Sequence, residues 1–170
     1  MKFLFSRVLG AFVFLLSATV SQAEVLPVEL EQVRHQNASL VVVGADGENE
    51  YNAAQLEALG SYRMVTRTPW RDQETAFDGA LLNDVLRENG LDGARAIRVI
   101  AENGYATEIE AEVWKNYPIL LATRVNGRPH SRRARGPIQF VLPLSDSPEV
   151  AADGQMKNWV WMAARIEPVE

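Results

Sequence analysis

Hydrophobic and polar positions alternate from Tyr62 to Thr68, with Tyr62, Met64 and Thr66 on one side and Arg63, Val65 and Arg67 on the other, the period of a half-buried strand. Pro69, which lacks the donor a central ladder needs, ends that strand just before Trp70. Ser39 to Val43 is a β-branched run followed by an Asp46-Gly47 turn, and it also predicts a strand. Ala96 to Ala101 and Tyr105 to Ile109, joined by Asn103-Gly104, have the pattern of a hairpin. Two further apolar runs, Ile119 to Ala122 and Ile138 to Leu142, flank an Asn126-Gly127 turn and a basic loop closed by Gly136-Pro137. Trp159 to Ile166 predicts a last strand with Trp159, Trp161, Ala163 and Arg165 on one face.

Helical spacing is found in fewer places. Leu82, Val85 and Leu86 recur at helix intervals within Phe77 to Gly90, which predicts an amphipathic helix stopped by Gly90. Ala53 to Leu59 predicts a short helix, capped by Asn52 and ended by Gly60, and Glu110 to Asn116 another before Pro118. Short helices and strands without a regular β-α-β-α rhythm predict an α+β fold, a mixed sheet or partial β-barrel.

Residues 1–23 join a cationic start (Lys2, Arg7), an apolar run from Val8 to Leu16 and a Ser21-Gln22-Ala23 cleavage pattern, which predicts a signal peptide. The apolar run falls short of the ~20 residues that span a bilayer. A secreted, periplasmic domain of residues 24–170 is therefore expected. Removing the two leader cations takes the formal net charge from −5 to −7, which argues against nucleic acid as a partner. Cysteine is absent, so disulfides, thiolate metal sites and cysteine nucleophiles are unavailable. His35 and His130 lack ligand spacing and are expected to be surface residues.

The one strong local field is cationic. Arg124, Arg128, Arg132, Arg133 and Arg135 cluster in a stretch without an acid from Val113 to Ser145. Guanidinium groups suit carboxylate, phosphate or a planar heterocycle, and a solvated loop is the alternative for the same residues. Trp70, just past a strand end, is either core packing or a ring platform for a ligand. Glu108, Glu110 and Glu112 alternate as a solvated strand edge does. Neither a P-loop, a dinucleotide-binding turn nor a nucleophile elbow occurs.

Phe77-x-Gly79-x-x-Leu82-x-Asp84-Val85-Leu86, then Asn103-Gly104-Tyr105, then Leu121-Ala122 with Asn126-Gly127-Arg128-Pro129, Gly136-Pro137 and Val141-x-Pro143, and finally Lys157-x-Trp159, resemble the molybdopterin-binding domain of the sulfite oxidase family. The resemblance runs from about Thr66 to Glu167 and implies that family's mixed α+β, barrel-like fold. Family enzymes hold molybdenum through a cysteine in the loop after the strand that here ends Thr66-Arg67-Thr68-Pro69-Trp70, and this chain has none. The family's histidine before Gly-Pro is here Arg135, its following arginine is Gln139, and its Asp-Gly-Tyr is Asn103-Gly104-Tyr105.

The chain is more similar to small exported members that bind a pterin without metal and report it to a membrane-bound signalling protein, often one controlling cyclic di-GMP. The resemblance thus implies a periplasmic, non-enzymatic pterin-binding protein whose partner is the periplasmic domain of a receptor. The alternatives are a molybdopterin-dependent oxidoreductase with an unusual metal attachment and a ligand-free interaction protein. Trp70, Asn103, Tyr105, Arg124, Arg135 and Trp159 are the expected pocket residues, with Arg67, Arg132 and Lys157 as second choices. All lie at predicted strand ends or in the loops between them.

Overall fold

The computed structural model describes residues 24–32, 39–152 and 154–169. The expected leader and His35 lie outside them. Among the described residues, eleven strands, β1 (Val25–Pro27), β2 (Leu40–Gly44), β3 (Gly47–Tyr51), β4 (Tyr62–Thr68), β5 (Arg71–Leu81), β6 (Ala96–Ala101), β7 (Ala106–Glu110), β8 (Leu120–Val125), β9 (Arg128–Pro129), β10 (Gln139–Val141) and β11 (Ala163–Pro168), form two sheets. One sheet runs β1-β4-β5-β8-β10, with β9 paired to β8, and is antiparallel throughout. The other runs β3-β2-β11-β6-β7 and is mixed, because β11 lies parallel to β2. The architecture is α+β, as expected, but the strands make two open sheets and no closed barrel among the described residues.

The described residues also form three short α-helices, α1 (Ala53–Leu59), α2 (Leu82–Glu88) and α3 (Ala111–Asn116). The first is specified locally. Asn52 accepts from the Gln55 backbone N–H at 2.9 Å, while the Gln55 side chain accepts from the Asn52 backbone at 2.8 Å, a reciprocal capping box. Leu56 from α1 and Leu82, Val85 and Leu86 from α2 enter a core that continues through Met64, Leu120, Leu121, Ile138 and Phe140 to Ile97, Ile109 and Ile166.

Two expectations are corrected, and one strand was not foreseen. Phe77 to Leu81 belong to β5 and not to the helix, which begins only at Leu82. Because β5 lies between β4 and β8, Phe77, Asp78, Gly79 and Ala80 are all buried, and the alternation that would announce a strand is erased. Gly-Glu-Asn-Glu-Tyr, residues 47–51, is a strand despite its polarity, since it only has to pair with β2 at a sheet edge. Trp159 to Met162 are not strand. Met162 turns the chain at φ 52°, β11 starts at Ala163, and a register shift between Ala163 and Arg165 leaves Arg165 paired with Glu48 and Glu167.

The two sheets meet along a seam of backbone hydrogen bonds. Phe140 donates to the Val160 carbonyl at 2.8 Å, Ala163 to Ile138 at 2.9 Å, and Met162 to Arg135 at 3.1 Å. The β6–β7 turn joins through Glu102, which donates to the Met162 carbonyl at 2.8 Å.

Gly79 allows β5 and β8 to approach, because a Cβ there would lie 2.0 Å from the Leu121 carbonyl oxygen. That neighbour is backbone and cannot swing aside. Gly79→Ala is expected to cost about 1–3 kcal/mol or more, read as a lower urea midpoint. Gly93→Ala, with nothing within 4 Å of the added carbon, should stay within about 0.5 kcal/mol of the parent.

Candidate functional site

Three turns converge at the end of the seam. Trp70 comes from the tight β4–β5 connection, Asn103 and Tyr105 from the β6–β7 turn, and Met156, Trp159 and Trp161 from the segment leading into β11. Together they line a cleft of about 270 Å³, near the lower end of the ~300–1,000 Å³ usual for small-molecule sites. The indoles set its shape. Trp70 meets Trp161 edge to face at 4.7 Å between centroids and Trp159 at 6.1 Å, both near perpendicular. Trp70 and Tyr105 are 40% and 44% exposed, unusual for large rings unless something covers them, whereas Trp159 is 3% exposed and forms the floor.

Arg135 packs against two of these indoles. Its guanidinium carbon lies 4.4 Å from the Trp161 ring centroid and 5.0 Å from that of Trp70, a cation held between two π faces. The residue sits in the left-handed region at φ 82°, and its carbonyl accepts from Met162, itself at φ 52°. Left-handed backbone at two non-glycine residues joined by one hydrogen bond is strain of the kind that concentrates at binding sites. Burial and the neighbouring Arg71 guanidinium pull the Arg135 pKa below its ordinary value.

The β6–β7 turn is held rigidly. Asn103 accepts from the Tyr105 backbone N–H at 3.0 Å, an Asx turn that Gly104 completes at φ 84°. The side-chain oxygen of Asn103 is thus engaged, which leaves its NH2 group to face a ligand. Tyr105 donates its hydroxyl to the Lys157 carbonyl at 3.3 Å, and Arg132 grips Glu102 with two hydrogen bonds of 2.8 and 2.9 Å.

Of the residues expected in the pocket, Trp70, Asn103, Tyr105 and Trp159 line this cleft, and Arg135 is not among its lining residues but stacks on Trp70 and Trp161. Arg132 and Lys157 sit behind the turn, the first through its ion pair and the second through its backbone. Arg67 is exposed, and its backbone N–H binds the Ser145 hydroxyl. Arg124 is elsewhere. It is buried in β8, where it meets Glu57 of α1 at 2.7 and 2.9 Å and donates to the Glu31 carbonyl at 2.8 Å. Its cross-strand neighbour Asp78 forms a bidentate pair with Arg63, so a line of charges runs from the partly exposed Arg63 on β4 through buried Asp78 and Arg124 to Glu57 on α1.

Trp161 and Met156 were not foreseen. Trp159 and Trp161 were expected on one face of a regular strand; they lie instead on the irregular path before β11, and both line the cleft. His130 is not a surface residue: it is 6% exposed and its Nε2 meets Gln139 Oε1 at 2.9 Å. Burial first, then the charges of Arg135 and Arg71, depress its pKa, against the opposing effect of Gln139. Composition cannot show this, because a histidine in a run of arginines looks solvated.

No family model and no curated protein matches the chain. Among solved structures, the sulfane dehydrogenase SoxCD from Paracoccus pantotrophus superposes with a TM-score of 0.60 at 13% identity, over 81% of this chain and 39% of that one. At that identity the likeness establishes a shared fold, and this chain spans less than half of the neighbour's length. Among the described residues no group of three or more His, Asp or Glu side chains is placed to hold a metal, and no cysteine exists to supply a thiolate. The donors present therefore do not suit thiolate-ligated molybdenum. They suit a flat organic ligand, which needs ring faces and a few edge-directed donors.

Replacing Arg124 tests its assignment to the scaffold. Removal of the cation from a buried pair costs about 3–5 kcal/mol, so Arg124→Ala should lower the urea midpoint strongly while any folded fraction keeps its cleft. Intrinsic fluorescence of the cleft tryptophans reads the second part.

Proposed function

We propose that this chain is a non-enzymatic binding protein for a pterin or closely similar bicyclic heterocycle, exported to the periplasm. The observation that carries the reading is the cleft itself: partly exposed Trp70 and Tyr105 rings beside Trp161 and a buried Trp159 floor, with the amide of Asn103 at the rim. A planar ring stacks on the exposed aromatic faces, and the Asn103 NH2 meets a carbonyl or ring nitrogen at its edge. Arg135 supplies a third kind of contact, since its guanidinium can stack on the ligand or bind its oxygen atoms. The cleft volume admits a two-ring ligand and not a dinucleotide. The sulfite oxidase-like sequence motifs and the fold shared with a dehydrogenase support a pterin-related ligand, and the missing cysteine supports binding without metal.

Titration with a tetrahydropterin, followed by tryptophan fluorescence, checks the reading. Saturable quenching is expected, and Trp70→Ala, which removes an exposed ring, should weaken binding roughly 5- to 150-fold if stacking here resembles base stacking at ~1–3 kcal/mol. A parent protein that binds no pterin, or one that carries stoichiometric molybdenum when purified from the periplasm, would overturn it in favour of the ligand-free or the oxidoreductase reading.

The bound state is read by the periplasmic domain of a membrane signalling protein. Support comes from the resemblance and from Arg128 and Arg133, which are exposed beside the site and have no ion pair among the described residues. Through Arg132 and Glu102 the same loop is tied to the β6–β7 turn that carries Asn103 and Tyr105, a physical route from ligand to loop. Capture of a receptor from membranes should depend on added pterin and be lost in Arg128→Glu/Arg133→Glu, a charge reversal on an exposed face. Equal capture with and without pterin would make the ligand structural and not regulatory.

A further inference from the structure

The large apolar side chains that the fold leaves open are not scattered at random. Among the described residues, Leu26 and Val65 belong to β1 and β4, and the others, Trp70, Tyr105 and Met156, all line the aromatic cleft. Two of these three are rings on which a flat ligand stacks. The third carries a thioether, and its setting differs from that of the other sulfur atoms. Cysteine is absent, and of the four methionines Met1 falls in the expected leader. Met64 is fully buried in the core, and Met162 is half-buried in the turn into β11. Met156 alone of the described methionines is exposed, at 37%.

Two-electron oxidants act on accessible sulfur, and where no thiol competes the thioether takes the oxygen. We infer that Met156 is an oxidation site, at which a peroxide converts the thioether to a sulfoxide and so weakens the cleft for its ligand. A sulfur lone pair attacks one oxygen of hydrogen peroxide, and the S–O bond forms as the O–O bond breaks. The departing hydroxide takes the proton of the transferred oxygen and leaves as water. Sulfur is oxidised by two electrons and the peroxide is reduced by two, so methionine and hydrogen peroxide give methionine sulfoxide and water.

The product is polar and chiral where the thioether is apolar and adaptable. Its place in the fold gives that change a consequence. Met156 opens a single tight turn, Met156–Asn158, in which its carbonyl accepts from the Trp159 N–H at 3.3 Å and the Lys157 carbonyl accepts from the Tyr105 hydroxyl at 3.3 Å. The turn therefore touches both the floor of the cleft and one of its exposed rings. A sulfoxide there removes apolar lining and brings a strong acceptor into a cleft whose polar edge is the Asn103 NH2. Because sulfoxide reductases return the thioether, the change is reversible.

The oxidation site rests on exposure, and its effect on binding rests on the pterin reading, so the experiment keeps the two apart. The full mature protein is treated with hydrogen peroxide, desalted, and divided between peptide mass mapping, tryptophan fluorescence and titration with a pterin. The first added oxygen is expected on Met156, ahead of Met162 and Met64. Fluorescence of the cleft tryptophans should change with it, and pterin should bind roughly two- to tenfold more weakly, the scale of a lost thioether–ring contact. Treatment with a methionine sulfoxide reductase should restore the parent values. In Met156→Leu, peroxide should leave both the fluorescence and that variant's own starting affinity where they were. First oxidation at Met162 or Met64, unaltered affinity with Met156 oxidised, or a loss in Met156→Leu as large as the parent's overturns the inference. If the untreated parent binds no pterin, the proposed ligand fails instead. The inference then stands or falls on the mass map and on a fluorescence change present in the parent and absent from Met156→Leu.

Discussion

The seam between residues 135–140 and 160–163 holds the site together, because it hydrogen-bonds the edge of one sheet to the entry of the other. Without it Trp159 and Trp161 would have no fixed position relative to Trp70, which belongs to the opposite sheet's hairpin. The seam is also where the backbone is least relaxed, at Arg135 and Met162. Such conformations persist only where the surroundings over-determine them, and here the Phe140, Ala163 and Glu102 hydrogen bonds on either side do so.

Arginines serve two purposes in this molecule, and their neighbours decide which. Arg124 is locked to Glu57 inside the scaffold, and Arg63 to a buried Asp78, so both act as structural cross-links between strands and a helix. Arg135 and Arg71 are set against rings, apolar side chains and each other. A buried pair satisfies itself and has little left to offer a ligand, whereas an unpaired guanidinium stacked on indole retains its donors. The cationic field read from the sequence is therefore divided between a scaffold contact, exposed side chains and one guanidinium stacked on two indoles of the cleft.

A shared fold at 13% identity says how the strands are arranged and nothing about what the loops hold. In this chain the loop positions carry tryptophan, tyrosine, asparagine and arginine, and the sequence has no thiol.

Much of this was legible in the chain. Alternation from Tyr62 to Thr68, the Asn52 cap, and the Asn103-Gly104 and Asn126-Gly127 turns all follow from local rules, because the burial pattern or φ requirement is written into adjacent residues. The turn residues Asn103 and Tyr105 and the ring of Trp70 were recognisable for the same reason, as they sit where strands stop. Local rules failed where a neighbour supplied the constraint: Phe77 to Ala80 of β5 are buried on both faces, the polar β3 forms by pairing with β2, and the path from Trp159 to Met162 is bent by contacts with Arg135 and Glu102. Arg124 and His130 failed likewise, one claimed by Glu57 and the other by burial beside Gln139, partners that no spacing along the chain reveals. The sequence by itself determined those strands whose alternation or turn residues are local, the Asn52 cap and the kinds of side chain at the loops. Only the tertiary structure decided which of those side chains face one another, because pairing and desolvation depend on residues distant in the chain.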